Sequence, residues 1–316
     1  MELRDIKTVA ITGTGTMGKG IVQSFASAGY VVNCYDVAGA ELERLVPLVK
    51  AMQETLVEGG LLTREAADQS VGRIRTFSSL NECLGNVQLV VEAVPEMLSV
   101  KLPVYEQMDR EADPEVIFAS NTSGLSITKL GSATGRPEKV AGFHFWNPAH
   151  LMPLVEVTKG EKTSSEVAEL LLALATRLGK KPILVRREVP GFIGNRLQCA
   201  VLREALHLVQ EGFASAEDVD TAMKAGPGIR YAFLGPLETA DLGGLDVFTS
   251  ISNYLFEDLG RATKAQPYMA DLVKEGRLGV KTGRGFYEYG GKTLSELLSA
   301  RDEKLIKVLT SLKKTD

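Results

Sequence analysis

The residues best placed to move a proton are a histidine and a glutamate in unusual settings. His144 lies in Phe143-His-Phe-Trp146, an apolar run of strand character. Glu156 lies in Leu154-Val-Glu-Val157, where a carboxylate is costly unless it is paired. Histidine is the natural general base near neutral pH. A carboxylate beside it would fix the imidazole tautomer and stabilise the imidazolium formed when a substrate hydroxyl loses its proton. The other reading of His144 is a core histidine satisfied by a backbone carbonyl, and patterning alone leaves both open. The ends of neighbouring apolar runs carry Glu92, Glu96, Asn121, Ser123 and Asn147. Ligands of open α/β sheets bind outside the carboxyl ends of the strands, so these side chains should gather at one edge. His150 and His207 belong to no ligand cluster, and no metal site is expected.

A second constellation opens the chain. Thr8-Val-Ala-Ile-Thr-Gly13-Thr-Gly15-Thr16-Met17-Gly18 is a short apolar run, a G-x-G-x-x-G turn and the start of a helical pattern. Gly13 permits the tight turn, Gly15 leaves room for a pyrophosphate, and Gly18 lets helix and strand approach. Gly15, Thr16, Met17 and Gly18 would turn free N–H groups toward phosphates. A bare strand-to-helix turn would explain the glycines but not Asp36, which ends the run Val31-Val-Asn-Cys-Tyr35, 23 residues after Gly13. An acid there accepts ribose hydroxyls and repels a 2′-phosphate. No Arg or Lys follows it before Arg44. NAD, not NADP, is the expected cofactor.

These residues need a sheet to hold them. Up to residue 187, short apolar runs alternate with amphipathic stretches, the pattern of a doubly wound, mostly parallel sheet covered by helices. Strands are predicted at 31–35, 74–77, 87–92, 116–119, 139–146, 153–157 and 181–185, and helices at 40–57, 61–70, 100–111 and 166–178. After Glu188-Val-Pro190-Gly191 strand signals nearly vanish and helical spacing takes over. The expectation is an α/β domain over 1–187 and an all-α domain over 188–316. The latter carries more apolar sequence than one neighbouring face would cover, so it should also dimerise.

Composition narrows the rest. The 316 residues are 44% hydrophobic and 24% charged, with a formal charge of −4, which gives nucleic acid or an anionic membrane no purchase. Lys313-Lys314 is too short for a nucleic-acid tail. No apolar stretch is long enough to span a bilayer, and the first residues hold no apolar h-region. Three scattered cysteines, Cys34, Cys83 and Cys199, fit a reducing cytoplasm.

Several linked motifs then point one way. Gly142-Phe-His-Phe-Trp-Asn147-Pro, Pro153-Leu-Val-Glu-Val and Pro190-Gly-Phe-Ile-Gly-Asn195-Arg-Leu occur in order. With Ser120-Asn-Thr-Ser123 and Lys281-Thr-Gly-Arg-Gly-Phe286-Tyr, the chain resembles the L-3-hydroxyacyl-CoA dehydrogenase family over nearly its whole length. The resemblance implies a Rossmann-like first domain and a helical second domain that forms a homodimer. It also implies His144 as base with Glu156 as partner, and Ser123 and Asn195 hydrogen-bonded to the reacting oxygen. Glu96, Lys101, Ser123, Asn147 and Lys281 match positions that line the cofactor. The expected reaction is NAD-dependent interconversion of an L-3-hydroxyacyl-CoA and a 3-oxoacyl-CoA, as in fatty acid metabolism.

The departures concern the substrate. In fatty-acid members of the family, the helix after the second strand offers Ser and Lys to coenzyme A. Here that stretch, 41–58, has only Arg44 and Lys50 as cations, and the surface near Met52 and Gly59 offers neither group. The loop Gly228-Ile-Arg230-Tyr-Ala-Phe-Leu-Gly-Pro-Leu-Glu238 also resembles relatives acting on free hydroxy acids, gulonate dehydrogenase (lambda-crystallin) and carnitine dehydrogenase. Arg230 would grip a carboxylate, or is an exposed or interface arginine beside a turn. The thioester stands first, a free 3-hydroxy acid second, and a non-catalytic NAD-binding protein third.

Overall fold

The computed structural model describes residues 1–313; Lys314 lies outside them. Eight strands form one sheet, in the order β3-β2-β1-β4-β5-β6-β7-β8. They are β1 Thr8–Thr12, β2 Val31–Tyr35, β3 Ile74–Phe77, β4 Leu89–Glu92, β5 Ile117–Ser120, β6 Val140–Phe145, β7 Leu154–Lys159 and β8 Lys181–Val185. Helices α1 Gly18–Ser27, α2 Gly39–Glu58, α3 Arg64–Val71, α4 Leu80–Cys83, α5 Leu98–Glu111, α6 Ile127–Gly131 and α7 Ser165–Arg177 alternate with the strands. The sheet is mostly parallel, as the alternation predicts.

Side-chain alternation along each strand feeds two cores. Val9, Ile11, Val32, Val91 and Ala119 pack with Ile21 and Phe25 of α1, Leu45 and Val49 of α2, and Leu171 and Leu174 of α7. Their neighbours Ala10, Val90 and Phe118 pack with Tyr105 and Met108 of α5 and Leu130 of α6. Strands buried on both faces read as continuous apolar runs, which is why they were visible in the sequence.

The departure from parallel order falls at the site. β6 and β7 are antiparallel, with His144 directly opposite Glu156. Only residues 146–153 join them, too few for the helical crossover that a parallel pair requires. The antiparallel turn therefore sets the histidine and the glutamate on the same face of adjacent strands, in register.

Beyond the sheet come α8 Gly194–Gln210, α9 Ala216–Ala225, α10 Pro227–Arg230, α11 Pro236–Gly243, α12 Leu245–Asp258, α13 Pro267–Lys274 and α14 Leu294–Lys313. The chain forms two compact units: Met1–Asn195 together with the chain from Ser299 onward, and Arg196–Leu298. This differs from a split at 187 that keeps 188–316 together. The start of α8 belongs with the first unit because Ile193 and Gly194 donate their N–H groups to Glu156. The end of α14 belongs there because Ile306 is buried with Leu56 and Leu151. Pro227–Arg230 is a helical turn inside what reads in sequence as a loop.

Candidate active site

His144 and Glu156 are both buried, and His144 Nδ1 lies 2.9 Å from Glu156 Oε2. The same oxygen accepts from Trp146 Nε1 at 3.1 Å. Glu156 Oε1 accepts from the backbone N–H groups of Ile193 and Gly194, each at 3.0 Å. Burial pushes this carboxyl up, but the hydrogen bonds from His144, Gly194, Trp146 and Ile193 prevail and hold it below the ordinary range. An ionised Glu156 assigns the proton of His144 to Nδ1 and leaves Nε2 as an acceptor. Phe192 packs edge-on against the imidazole, with ring centroids 5.8 Å apart. It does so from a left-handed conformation, φ 51°, uncommon for a residue with a side chain. Gly194 is required for space: a Cβ there would come within 2.3 Å of the Trp146 ring. Trp146 and Phe192 were not singled out in the sequence, although both flank the motifs that were.

The glycine turn has the form a dinucleotide needs. Gly13 adopts φ +90°, and a Cβ on it would meet the Ala93 carbonyl oxygen at 2.6 Å. A Cβ on Gly18 would lie 1.9 Å from the Gly13 carbonyl oxygen, whereas one on Gly15 would meet nothing within 4 Å. The turn is therefore closed on its inner side and open over Gly15, where a pyrophosphate must approach. Thr16 is exposed and Met17 half-buried at the start of α1. Asp36, just past β2, is held by the Thr14 N–H at 2.7 Å and the Ala38 N–H at 2.9 Å. Gly13, Gly15, Thr16, Met17, Gly18 and Asp36 together fit an adenine dinucleotide.

Between these two clusters runs a charged network. Glu92, at the end of β4, is fully buried. It accepts from Lys101 Nζ at 2.5 Å, the Val94 N–H at 2.8 Å and Ser120 Oγ at 2.8 Å. Burial pushes its carboxyl up despite the Lys101 ammonium. Lys101 also donates to the Val94 carbonyl at 3.1 Å and has Glu96 Oε2 at 3.4 Å. Glu96 Oε1 in turn accepts from Thr122 Oγ1 at 2.6 Å and from the Ser123 N–H at 2.8 Å. The Ser123 carbonyl accepts from Asn195 Nδ2 at 3.1 Å. Ser123, Asn195, Glu96, His144 and Glu156 thus fall in one unit, while Lys101 lies beneath the surface. Asn147 is exposed just past β6. Arg230 and Lys281 belong to the second unit and are exposed there. Among the described residues no His, Cys, Asp and Glu grouping could hold a metal ion.

On α2, Arg44 is paired with Glu41 and Lys50 is exposed. Arg64 on α3 is paired with Glu54. Gly59 is covered by α14: a Cβ there would lie 2.2 Å from Ile306 Cγ2, and Thr310 Oγ1 donates to the Gly59 carbonyl at 3.1 Å.

A doubly wound sheet with this glycine turn, Asp36 and a histidine–glutamate pair at the sheet edge defines a nicotinamide-dependent oxidoreductase. Residues 8–189 match the model of the 3-hydroxyacyl-CoA dehydrogenase NAD binding domain, and residues 191–289 match that of the 3-hydroxyacyl-CoA dehydrogenase C-terminal domain. The chain belongs to the 3-hydroxyacyl-CoA dehydrogenase family and is an NAD-dependent enzyme. It is 35% identical over 303 residues to the 5-formyl-3-hydroxy-2-methylpyridine 4-carboxylate 5-dehydrogenase of Mesorhizobium japonicum, covering 96% of this chain and 97% of that protein. It is 38% identical over 290 residues to a probable 3-hydroxybutyryl-CoA dehydrogenase of Bacillus subtilis, covering 92% and 99%. Among solved structures, a 5-formyl-3-hydroxy-2-methylpyridine 4-carboxylic acid 5-dehydrogenase, described as an NAD+-dependent dismutase, superposes with a TM-score of 0.92 at 35% identity. That match covers 98% of this chain and 99% of the other. The (S)-3-hydroxybutyryl-CoA dehydrogenase of Ralstonia eutropha gives 0.74 at 36% identity, covering 90% and 99%.

Proposed function

We propose that His144 is the general base of an NAD-linked dehydrogenase whose substrate is a small free carboxylate. The single observation that carries the chemistry is the Nδ1 contact to a Glu156 carboxylate that accepts four hydrogen bonds. With Nδ1–H committed to Glu156, Nε2 takes the proton of the substrate hydroxyl. Glu156 positions the ring and stabilises the imidazolium; Trp146, Ile193 and Gly194 hold Glu156. The Ser123 hydroxyl and the Asn195 amide hold the reacting oxygen. The Gly13–Gly18 turn and Asp36 would hold NAD, which would supply the hydride acceptor for the carbon bearing that oxygen.

The choice of a free acid reverses the order suggested by the motifs. Three observations support it. The pyridine carboxylate dehydrogenase structure matches 98% of the chain, which leaves few residues of the segment beyond 289 without a counterpart. The hydroxybutyryl-CoA enzyme of Ralstonia eutropha leaves a tenth unmatched. The α2 surface, where coenzyme A would look for cations, has Arg44 tied to Glu41 and Gly59 under Ile306, with Lys50 its remaining cation. An aldehyde belongs in the same test, because its hydrate carries a hydroxyl and a transferable hydride on one carbon. The same base then yields a carboxylic acid. The measurement is NADH formation with L-3-hydroxyacyl-CoA thioesters, free 3-hydroxy acids and aromatic aldehyde carboxylates. The expected outcome is higher kcat/KM on a free acid or aldehyde acid. Preferred thioester turnover would restore the second reading, a 3-hydroxyacyl-CoA dehydrogenase.

A further inference from the structure

The acceptor capacity of Glu156 is fully used. A carboxylate offers about four lone-pair sites on its two oxygens. Oε1 accepts from the Ile193 and Gly194 backbone N–H groups, and Oε2 from His144 Nδ1 and Trp146 Nε1. The two oxygens differ in what they hold. The backbone amides on Oε1 never change charge. Oε2 is divided between an imidazole that gains a proton in the reaction and an indole that stays neutral. We propose that Trp146 is a positioning residue that limits the basicity of His144 by competing with it for Glu156 Oε2.

Trp146 follows β6 two residues after His144, so its side chain leaves on the same face. The two ring centroids are 5.9 Å apart with planes inclined at 54°. That brings the indole nitrogen to 3.1 Å from the oxygen that Nδ1 meets at 2.9 Å. Gly194 makes the room, since a Cβ there would come within 2.3 Å of the Trp146 ring. Its N–H binds Oε1, and its missing side chain admits the donor to Oε2. Of the groups packed against the imidazole, Trp146 and Phe192 carry no charge and Glu156 is the ionisable one. Hydrogen bonding to the charged form of a group favours that form. An imidazolium is therefore best stabilised by an oxygen that no second donor engages. Phenylalanine at 146 would keep most of the ring packing and leave Oε2 to the imidazole alone. His144 would then hold its proton to higher pH.

The inference rests on the reading of His144 as the base, and two measurements separate them. The first is kcat/KM for NADH formation against pH, in the native protein and in Trp146→Phe. It uses the best of the thioester, hydroxy-acid and aldehyde substrates. The acid limb reports the essential base of the free enzyme. In Trp146→Phe it should move up by about half to one pH unit, with the plateau and Tm little changed. A limb that stays in place or moves down would overturn the inference, whatever the plateau does. The second measurement needs no turnover. Trp146 is the only tryptophan in the chain, so NMR gives one indole N–H resonance. As pH falls through the acid limb, the imidazolium should draw on Oε2 and the indole proton should move upfield. His144→Gln should abolish that movement. An indole resonance that does not titrate, or that moves downfield, would overturn the competition even where Trp146→Phe fails to fold. Near-normal turnover in His144→Gln, beside a native indole resonance that titrates as expected, would remove the base from the mechanism and support the competition.

Discussion

At the scale of single residues, the arrangement around His144 makes demands that separate chemistry from folding. His144→Gln should lower kcat by roughly 10²–10⁴-fold, the usual contribution of a general base, while NADH binding measured by fluorescence is retained. Glu156→Gln keeps the shape but presents an amide to groups that are all donors. It should cost both turnover and Tm. Near-normal single-turnover rates in either variant would remove that residue from the mechanism. His150 makes a different prediction. Burial, with Lys180, Arg301 and Lys19 nearby and Asp302 opposing them, lowers it from 6.5 to about 4. Between those values the unfolded chain binds a proton that the folded chain does not, so stability is lost as pH falls from about 6.5 toward 4. Glu156 and Glu188, lowered from 4.5, add their losses only below that value. The slope of Tm against pH between 6.5 and 4.5 should therefore flatten in His150→Gln, and an unchanged slope would show that another group carries it.

At the scale of elements, α14 is the piece whose placement the sequence concealed. Helical spacing beyond Pro190 says which residues share a face and not which surface receives it. Ile306 is 6% exposed against Leu56 and Leu151. Ile306→Ala should destabilise the protein by about 2–5 kcal/mol in urea unfolding, the range for a buried aliphatic truncation, unless α14 contributes nothing to the first unit. The central strands were legible because both of their faces are buried, whereas the pairing of His144 with Glu156 was one of two readings that patterning left open. The sequence pattern pointed to a mostly parallel sheet, and the antiparallel register that sets the two residues opposite one another comes from the structure. What could not be read were long-range partners with no local pattern. The Ile193 and Gly194 donors on Glu156 and the seat of Ile306 on Gly59 each depend on atoms far away in sequence.

At the scale of the whole molecule, the unit Arg196–Leu298 poses a problem of cover. Its buried hydrophobic side chains are Leu206 and Leu272. Phe213 is 70% exposed, Leu237 81%, Leu242 74%, Tyr254 66% and Phe256 65%. A monomer rarely leaves so much apolar surface in water, and an interface is the ordinary explanation. A second copy of this chain is the expected partner, since the same apolar faces of α11 and α12 can pair with themselves about a two-fold axis. Sedimentation at micromolar concentration should therefore give a dimer. Phe256→Glu combined with Val247→Glu on α12 should shift the protein toward monomer and lower its Tm in a concentration-dependent way, because folding and association are linked. A native chain that sediments as a monomer at those concentrations would refute the dimer.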